Sequence, residues 1–360
     1  MRTVACDLCG LSEVSVLFVE RDPRDANGKR SFRVVECRGC GLIYLSPRPE
    51  GSEMAVYYQE QYYDDLGPVR VPEERPSRSL RKRLQRSLLE RFYQYPVETG
   101  VAPSRAAGVL PLMKTACLYM ERWRLRMGGR EATLIPFIGE GRLLDVGCGT
   151  GKALEFFREM GWHVTGVEMS SYAASVARRD SGCDVLVGEI EEVPLGDESF
   201  DVVRFSHNLE HLASPRKALE KARRVLRPAG LLWIEVPNAA SIERRLFGRH
   251  WFCWDLPRHL YHFTPETLSR LLAGTGFRPL RMKCDGRVLF FTASVANVVA
   301  HLMGMRPRRT KLMSAMARPL VYAMGAMNSG GILTVHAEKD EMWRSISSGR
   351  LDRAPGGSVG

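Results

Sequence analysis

The pattern of apolar and polar positions becomes regular at Gly141, where short apolar runs begin to alternate with stretches of helical periodicity. Short apolar runs bounded by turn residues predict buried strands, and apolar positions three and four apart predict amphipathic helices. Strands that alternate with helices are typical of a parallel, doubly wound sheet. The sequence therefore predicts an α/β fold whose first five strands are "RLLDVGC", "HVTGVEM", "CDVLVG", "FDVVRFSH" and "GLLWIEVPN".

Polar residues follow each of the first four predicted strands. Asp145 and a run of glycines follow the first strand, and Glu168 closes the second. Glu189 follows the third strand, and His207 with Asn208 follows the fourth. In doubly wound sheets, ligands bind in the crevice outside the carboxyl ends of the strands. These side chains are therefore candidate ligand-binding residues.

The glycine run after the first strand has the spacing D-x-G-x-G-x-G, with glycines at Gly147, Gly149 and Gly151. The dinucleotide fingerprint G-x-G-x-x-G would place its third glycine at the next position, which is Lys152. The turn therefore lets the backbone pass close to a ligand but lacks the signature of a pyrophosphate site.

Two cysteine pairs lie near the amino terminus, Cys6-x-x-Cys9 and Cys37-x-x-Cys40, and a glycine follows each pair. Four thiolates are enough for a closed, tetrahedral structural zinc site, and glycine permits the positive φ that such knuckles need. The sequence between the pairs reads as strand, Asn-Gly turn and strand, which would bring the pairs together. We expect residues 1–60 to form a zinc-binding segment; unliganded cysteines in loops are the alternative.

Residues 61–135 are rich in arginine and have a helical pattern, with Leu80, Leu84, Leu88 and Phe92 at four-residue steps. One interpretation is a solvated helical linker or cap that packs on the core by a single apolar stripe. The other is a basic surface that meets phosphates or a membrane headgroup layer.

Composition adds charge and redox information. The formal net charge of +11 suggests an anionic partner such as phosphate, nucleic acid or acidic lipid. The odd number of cysteines, nine, does not indicate a disulfide framework and is typical of a reducing cytosol. The first ten residues contain no apolar stretch of a secretory signal. We therefore expect a cytoplasmic protein.

The motifs together resemble those of class I S-adenosylmethionine-dependent methyltransferases. The resemblance rests on "LLDVGCGTG", "GVE", "VGEIEE", "SFDVVRFSHNLEHLASP" and "RVLRPAGLLWIEVPN". It extends through "PRHLYHFTPETLSRLLAGTGF", typical of a bacterial branch associated with sugar and polysaccharide biosynthesis, in which a four-cysteine segment ending "CGLIYLSPRP" recurs. It implies a Rossmann-like S-adenosylmethionine-binding core over residues 136–285, in a sheet of seven strands with the last antiparallel.

The resemblance also implies roles for the strand-end residues. Glu168 would accept both ribose hydroxyls of S-adenosylmethionine, and Asp145 would orient the glycine turn or meet the amino group through water. The turn itself would reach the methionine part and the ribose through backbone groups. Its residues are Gly147, Cys148, Gly149 and Gly151.

Further along the chain, the resemblance places Glu189 beside the adenine amino group and the backbone N–H of Ile190 on a ring nitrogen. Aspartate is commoner at the first of these positions. His207 lies where the family contacts the methionyl end. Because an acceptor hydroxyl or enolisable carbon must lose a proton, His211 and His259 are the candidate general bases.

The carboxyl-terminal part departs from the family pattern. "FRPLRMKCD" reads as the sixth strand, but residues 286–329 separate it from the final strand, which we place at 330–340. The insertion has two apolar helical runs joined by "RPRRTK". We expect an amphipathic helical pair that covers the site or touches an anionic membrane surface, with core burial as the alternative. Residues 341–360 are expected to be disordered.

The sequence therefore predicts a small-molecule methyltransferase acting on a nucleotide- or lipid-linked sugar, in the cytoplasm or at the inner membrane surface. Arg249 and Arg258 would bind a substrate phosphate, and Trp251, Trp254 and Tyr261 would stack on a sugar face. An rRNA methyltransferase is the first alternative, since the basic middle helices would suit phosphate contacts. A non-catalytic zinc-ribbon scaffold is the second.

Overall fold

The computed structural model describes residues 1–21, 30–58, 87–96, 117–120, 134–304 and 310–341. Most of the predicted basic segment, including Leu80 and Leu84, and nearly all of the predicted disordered tail lie outside these residues. The strands are β1 (Val14–Arg21), β2 (Ser31–Cys37), β3 (Ile43–Leu45), β4 (Arg142–Val146), β5 (His163–Glu168), β6 (Asp184–Val187), β7 (Phe200–Ser206), β8 (Leu226–Pro237), β9 (Tyr261–His262), β10 (Phe277–Asp285) and β11 (Ile332–Lys339).

The helices lie mainly between the strands of the core. They are α1 (Ser52–Ala55), α2 (Lys152–Glu159), α3 (Ser171–Ser181), α4 (Pro215–Val225), α5 (Ile242–Phe247), α6 (Pro265–Gly274), α7 (Val288–Met303) and α8 (Lys311–Ala326). Residues 87–93 are also helical, and short 3₁₀ turns occupy Leu209–His211, Gly248–His250 and Phe252–Trp254.

The principal sheet has seven strands in the order β10-β11-β8-β7-β4-β5-β6. The pairs from β8 through β6 are parallel, whereas β11 is antiparallel to both of its neighbours. Strand β8 is buried along most of its length, as expected for a central strand covered on both faces. The predicted α/β sheet with an antiparallel last strand is confirmed.

The helices that follow the strands begin at side-chain caps written in the sequence. Ser170 accepts a hydrogen bond from the backbone N–H of Ala173 at the start of α3. Ser214 caps α4, whose first residue is proline, and Thr264 caps α6 in the same way. Proline suits the first helical position because its missing N–H would have no partner within the helix. These caps fix the turns at which the chain leaves the carboxyl ends of the strands.

The smaller sheet combines the amino-terminal segment with a strand from the core. Its order is β1-β2-β3-β9, all antiparallel, and Tyr44 of β3 lies opposite Tyr261 of β9. The buried guanidinium of Arg48 donates to the hydroxyl of Tyr261 at 2.9 Å and to the carbonyl of Ala213 at 2.9 Å. The sheet that begins within residues 1–60 is therefore completed by residues of the motif "PRHLYHF".

The described end of the basic segment packs on the principal sheet. Leu88, from the predicted four-residue stripe, is fully buried in a cluster with Tyr95 and Trp162, and Phe92 packs against that cluster. In this described part of the segment, Leu88 and Phe92 of the stripe therefore contact the core.

The insertion between β10 and β11 forms the expected helical pair, α7 and α8. Only part of its apolar surface is buried: Phe291, Val321 and Met324 form a cluster, whereas Leu312 and Met316 are exposed. Among the described residues, no helix combines the length and apolar character needed to cross a bilayer. The pair is therefore an amphipathic addition to the core.

Two glycines of the turn after β4 make a matched test of packing. Both Gly149 and Gly151 have positive φ, so alanine is strained at either position. A Cβ at Gly151 would lie 2.8 Å from the Cα of Ala177 in α3, whereas one at Gly149 would have no atom within 4 Å. We expect Gly151→Ala to lower the free energy of unfolding by about 1–3 kcal/mol more than Gly149→Ala. Urea unfolding measures both, and equal losses would contradict the packing argument.

Candidate functional site

The glycine turn lies at the carboxyl end of β4, at the centre of the principal sheet. Asp145 is buried, and its carboxylate pairs with the guanidinium of Arg204 on β7 at 2.5 Å. A Cβ at Gly147 would overlap the side-chain amide of Asn208, so glycine is required for the turn to approach the next strand end. Asp145 therefore fixes β4 against β7, and its side chain is turned inward rather than towards the crevice.

The carboxylate of Glu168 ties the end of β5 to the glycine turn. One oxygen accepts from the backbone N–H of Gly149 at 2.9 Å, and the other accepts from that of Ser170 at 3.0 Å. Cys148, the remaining turn residue, is buried and donates its backbone N–H to Val167.

The third strand end carries Glu189 and Ile190. The carbonyl of Glu189 accepts the backbone N–H groups of Glu192 and Val193 at 3.0 and 3.1 Å, which closes a turn. The Glu189 side chain is exposed, whereas Ile190 is buried. The two residues predicted to contact adenine thus lie in a turn that is closed by backbone hydrogen bonds.

His207, at the end of β7, lies between two buried carboxylates. Its Nδ1 is 3.5 Å from Glu210, and its Nε2 is 3.3 Å from Glu235 on β8. Glu235 also pairs with Arg287 at 2.8 Å, immediately before α7, and the ring of Phe290 packs edge-on against His207. We call His207, Glu210, Glu235 and Arg287 the strand-end charge network. The network joins β7 and β8 to the insertion.

Charges within this network shift the pKa values of its members. Burial disfavours the charged imidazole, but the hydrogen bonds with Glu210 and Glu235 outweigh it and raise the pKa of His207 to about 9. Burial likewise opposes ionisation of Glu235, but Arg287 and His207 lower its pKa to about 2. At neutral pH, His207 is therefore an imidazolium between carboxylates.

The two histidines predicted as candidate bases lie together. The rings of His211 and His259 are 4.6 Å apart, and the Nδ1 of His211 is 2.9 Å from the hydroxyl of Tyr58. Burial, with a smaller contribution from the charge of His259, lowers the pKa of His211 to about 4. His259 is buried, and its Nδ1 lies 2.8 Å from the carbonyl of Cys253. His211 is therefore neutral at pH 7.

Two residues of this site were missed by the sequence analysis. Glu210 is fully buried and contacts His207, although acidic residues rarely occupy the core. Tyr58 comes from the amino-terminal segment and reaches His211 across more than 150 positions of sequence. The local pattern around Glu210 carried a signal, since the acid directly precedes His211 in a motif already singled out; nothing local pointed to Tyr58.

The proposed sugar and phosphate contacts are not borne out by the geometry. Trp251, Trp254 and Tyr261 are buried and offer no free face to a sugar. The guanidinium of Arg258 pairs with Asp255, and that of Arg249 pairs with Glu20. These aromatic residues instead pack in the core cluster that joins the smaller sheet to the principal sheet.

The four amino-terminal cysteines converge as predicted. Cys6 and Cys40 have their sulfurs 3.4 Å apart, as do Cys9 and Cys37, and all four sulfurs lie within 4.8 Å of one another. The two knuckles have the same backbone geometry: in each, the N–H of the glycine donates to the carbonyl of the first cysteine, and that glycine has positive φ. The cluster can hold one metal ion with four sulfur ligands.

Comparison with known proteins decides the nature of the core. Residues 115–281 match a family described as a methyltransferase domain. Residues 115–281, a little under half of the chain, therefore form a methyltransferase domain. The glycine turn and Glu168 lie within the matched residues, as do His207, Glu210 and Glu235 of the strand-end charge network, whereas Arg287 lies just beyond them.

The relatives each match a part of the chain rather than the whole of it. A malonyl-[acyl-carrier protein] O-methyltransferase of Serratia marcescens is 35% identical over 130 residues, which are 36% of this chain and 50% of that protein. A ubiquinone biosynthesis O-methyltransferase of Cereibacter sphaeroides is 31% identical over 160 residues, which are 41% of this chain and 64% of that protein. The chain thus spans about half the length of the first of these curated relatives.

Solved structures give a weaker likeness. An S-adenosylmethionine-dependent methyltransferase structure from Thermotoga maritima has 23% sequence identity and a TM-score of 0.40, covering 61% of this chain and 95% of that one.

The raised pKa of His207 predicts a pH dependence of stability. The unfolded imidazole titrates near 6.5 and the folded one near 9, so the network's stabilising effect is complete below about pH 6.5 and is lost as pH rises through 9. We expect the melting temperature of the native protein to fall more steeply between pH 6.5 and 9.5 than that of His207→Gln. His163→Gln, at an exposed position, should keep the native slope. If the melting temperature of His207→Gln fell with pH as steeply as that of the native protein, this network would not be the source of the pH dependence.

Proposed function

We propose that this protein transfers the methyl group of S-adenosylmethionine to a small-molecule acceptor. The observation that carries the proposal is the bond between Glu168 and the N–H of Gly149, which joins the two strand ends that a nucleoside would bridge. Open space beside Gly149 leaves room for a ligand against the turn. S-adenosylmethionine supplies an activated sulfonium methyl group, so the protein's task is chiefly alignment.

The residues at the strand ends suit that ligand. Glu168 would accept the ribose hydroxyls, and the turn around Gly149 would present backbone groups to the methionyl portion. Glu189 and Ile190 would border the adenine. The charged His207 would attract the methionyl carboxylate. Asp145 would act indirectly, since its pairing with Arg204 holds the turn in place.

His211 is the better candidate for the general base. Its ring is neutral at pH 7 and can accept a proton, and the Tyr58 hydroxyl orients it; its lowered pKa makes it a weaker base than a free histidine. His259, held by the Cys253 carbonyl, would position His211 rather than meet the acceptor. The proton would pass from the acceptor hydroxyl or carbon to the imidazole as the methyl group is transferred.

The acceptor we propose is a sugar in nucleotide- or lipid-linked form, in the cytoplasm or at the inner membrane surface. Two curated relatives are named for malonyl-[acyl-carrier protein] and for ubiquinone biosynthesis, which supports a small-molecule acceptor over RNA. The motifs around "PRHLYHF" support the sugar-associated branch. The basic, apolar surface of α7 and α8 supports contact with anionic lipid. The glycine turn with Glu168 argues against a purely scaffolding role.

The four-cysteine cluster is proposed to hold a structural Zn²⁺. All four ligand positions would be filled by Cys6, Cys9, Cys37 and Cys40, leaving no open position for chemistry. The ion would fix the smaller sheet, through which Tyr58 reaches His211.

Cofactor binding tests the central proposal. Glu168→Ala should weaken S-adenosylmethionine binding by about 2 kcal/mol, roughly 30-fold, because charged hydrogen bonds to the ribose are lost. Glu159→Ala, which removes an exposed carboxylate at the end of α2, should leave affinity unchanged. Calorimetry with both variants is the measurement. Unchanged affinity in Glu168→Ala, or tight NAD binding by the native protein, would overturn the assignment.

Metal content tests the cysteine cluster. Protein purified without added metal should contain about one zinc per chain by elemental analysis, and Cys37→Ser should lose most of it. Cys117→Ser removes an exposed cysteine outside the cluster and should retain the zinc. Metal-free native protein with four freely titratable thiols in this segment would refute the proposal.

A further inference from the structure

An open cavity of about 390 Å³ lies between the two inserted helices, apart from the proposed methyl-transfer site. Helix α7 contributes Phe291, Thr292 and Val295 to its lining. The remaining lining residues lie on or just before α8 and are Thr310, Leu312, Met313, Met316, Ala317 and Leu320. A volume in this range is typical of small-molecule sites in proteins.

The chemistry of the lining restricts what can bind. Thr292 and Thr310 are its only polar side chains in the part of the chain that the structure describes. The hydroxyl of Thr292 donates to the carbonyl of Val288, and that of Thr310 accepts from the N–H of Met313. Both hydroxyls are thus engaged in helix bonds. The remaining lining is aliphatic, aromatic or thioether, so the cavity suits an apolar chain and cannot recognise a sugar or a nucleotide.

The charge around the cavity indicates which head group a bound apolar molecule should carry. Residues 286–329 contain six basic and no acidic residues. Lys311 and Arg318 are exposed, and each adjoins a lining residue in sequence. A second copy of this chain would bring the same positive charge against itself, which disfavours self-association. An amphiphile with an anionic head and one apolar chain matches both the lining and the charge.

Helix α7 contacts both the cavity and the strand-end charge network. Phe291 lines the cavity, and its neighbour Phe290 packs against His207 in the strand-end charge network. Arg287, which precedes α7, pairs with Glu235 of the same network. A molecule whose chain lies between α7 and α8 would therefore lie against the helix whose first turn contacts His207 at the end of β7.

We propose that the cavity binds the apolar chain of an anionic lipid-linked acceptor, so that α7 and α8 select lipid-linked over soluble acceptors. That the bound lipid is also the methyl acceptor rests on the proposed methyl transfer. Chain binding itself does not depend on it. The apolar surface that the chain would cover stabilises the complex in proportion to its area, and the methionines can adapt to chains of different shape.

The test uses dodecyl phosphate, kept below its micelle concentration, as an anionic single-chain probe. Calorimetry should show saturable binding to the native protein that is at least ten-fold tighter than for hexyl phosphate. Met316→Asp should weaken dodecyl phosphate binding at least ten-fold. Met303→Asp is the matched control: Met303 is 69% exposed and Met316 73%, but only Met316 lines the cavity. Binding to Met303→Asp should therefore equal that of the native protein.

A second variant separates the effect of filling the cavity from the effect of adding a charge to it. Ala317→Trp fills the cavity without adding charge and should also abolish binding, while melting temperature and S-adenosylmethionine affinity report whether the fold is intact. Equal binding of the probe to all variants would overturn the proposal. The proposal would also fail if the native protein bound anionic vesicles but not the probe, and if both Asp substitutions weakened vesicle binding equally. The helices would then contact a bilayer rather than a single chain.

Self-association gives the remaining outcome. If sedimentation showed a dimer of the native protein that Met316→Asp dissociates, the cavity would be an interface between copies, and the proposal would be wrong. S-adenosylmethionine affinity is measured separately in the native protein. If the native protein bound dodecyl phosphate but not S-adenosylmethionine, the proposed function would be refuted and the proposed binding of an apolar chain would not.

Discussion

The candidate site depends on a histidinium held between two buried carboxylates. His207 pairs with Glu210 and Glu235, and Glu235 in turn pairs with Arg287. A buried carboxylate without a partner costs several kcal/mol, so each charge requires the others. The backbone at His207 has positive φ, and its N–H donates to the Glu235 carbonyl. The network therefore sets both the conformation of the strand end and the point at which the inserted helices join the core.

The amino-terminal residues also contact the candidate site. Residues 1–58 contribute β1 to β3, the cysteine cluster and Tyr58, whose hydroxyl lies at His211. Asp7 anchors the first knuckle by accepting from the Ser214 hydroxyl and the Arg216 N–H at the start of α4. The amino-terminal segment therefore forms part of the wall of the candidate site.

Much of the fold could be predicted because its signals are local. The alternation of apolar runs and helical periodicity located the strands of the principal sheet, and the polar strand ends at Glu168 and His207 follow from its topology. Contacts between residues distant in sequence could not be predicted this way. The burial of Trp251 and Trp254, the pairing of β3 with β9 and the approach of Tyr58 depend on tertiary packing, which overrides local pattern.

The pairing of β3 with β9 has a consequence for the order of assembly. Residues 43–44 meet residues 261–262, so the edge of β3 has no partner until more than 200 further residues have left the ribosome. An exposed strand edge is a template for pairing with other chains. Closing so long a loop is also slow compared with forming local contacts. During synthesis the cysteine knuckles can therefore form early, but the sheet they support must wait for the methyltransferase domain, which makes the nascent chain vulnerable to intermolecular pairing at β3.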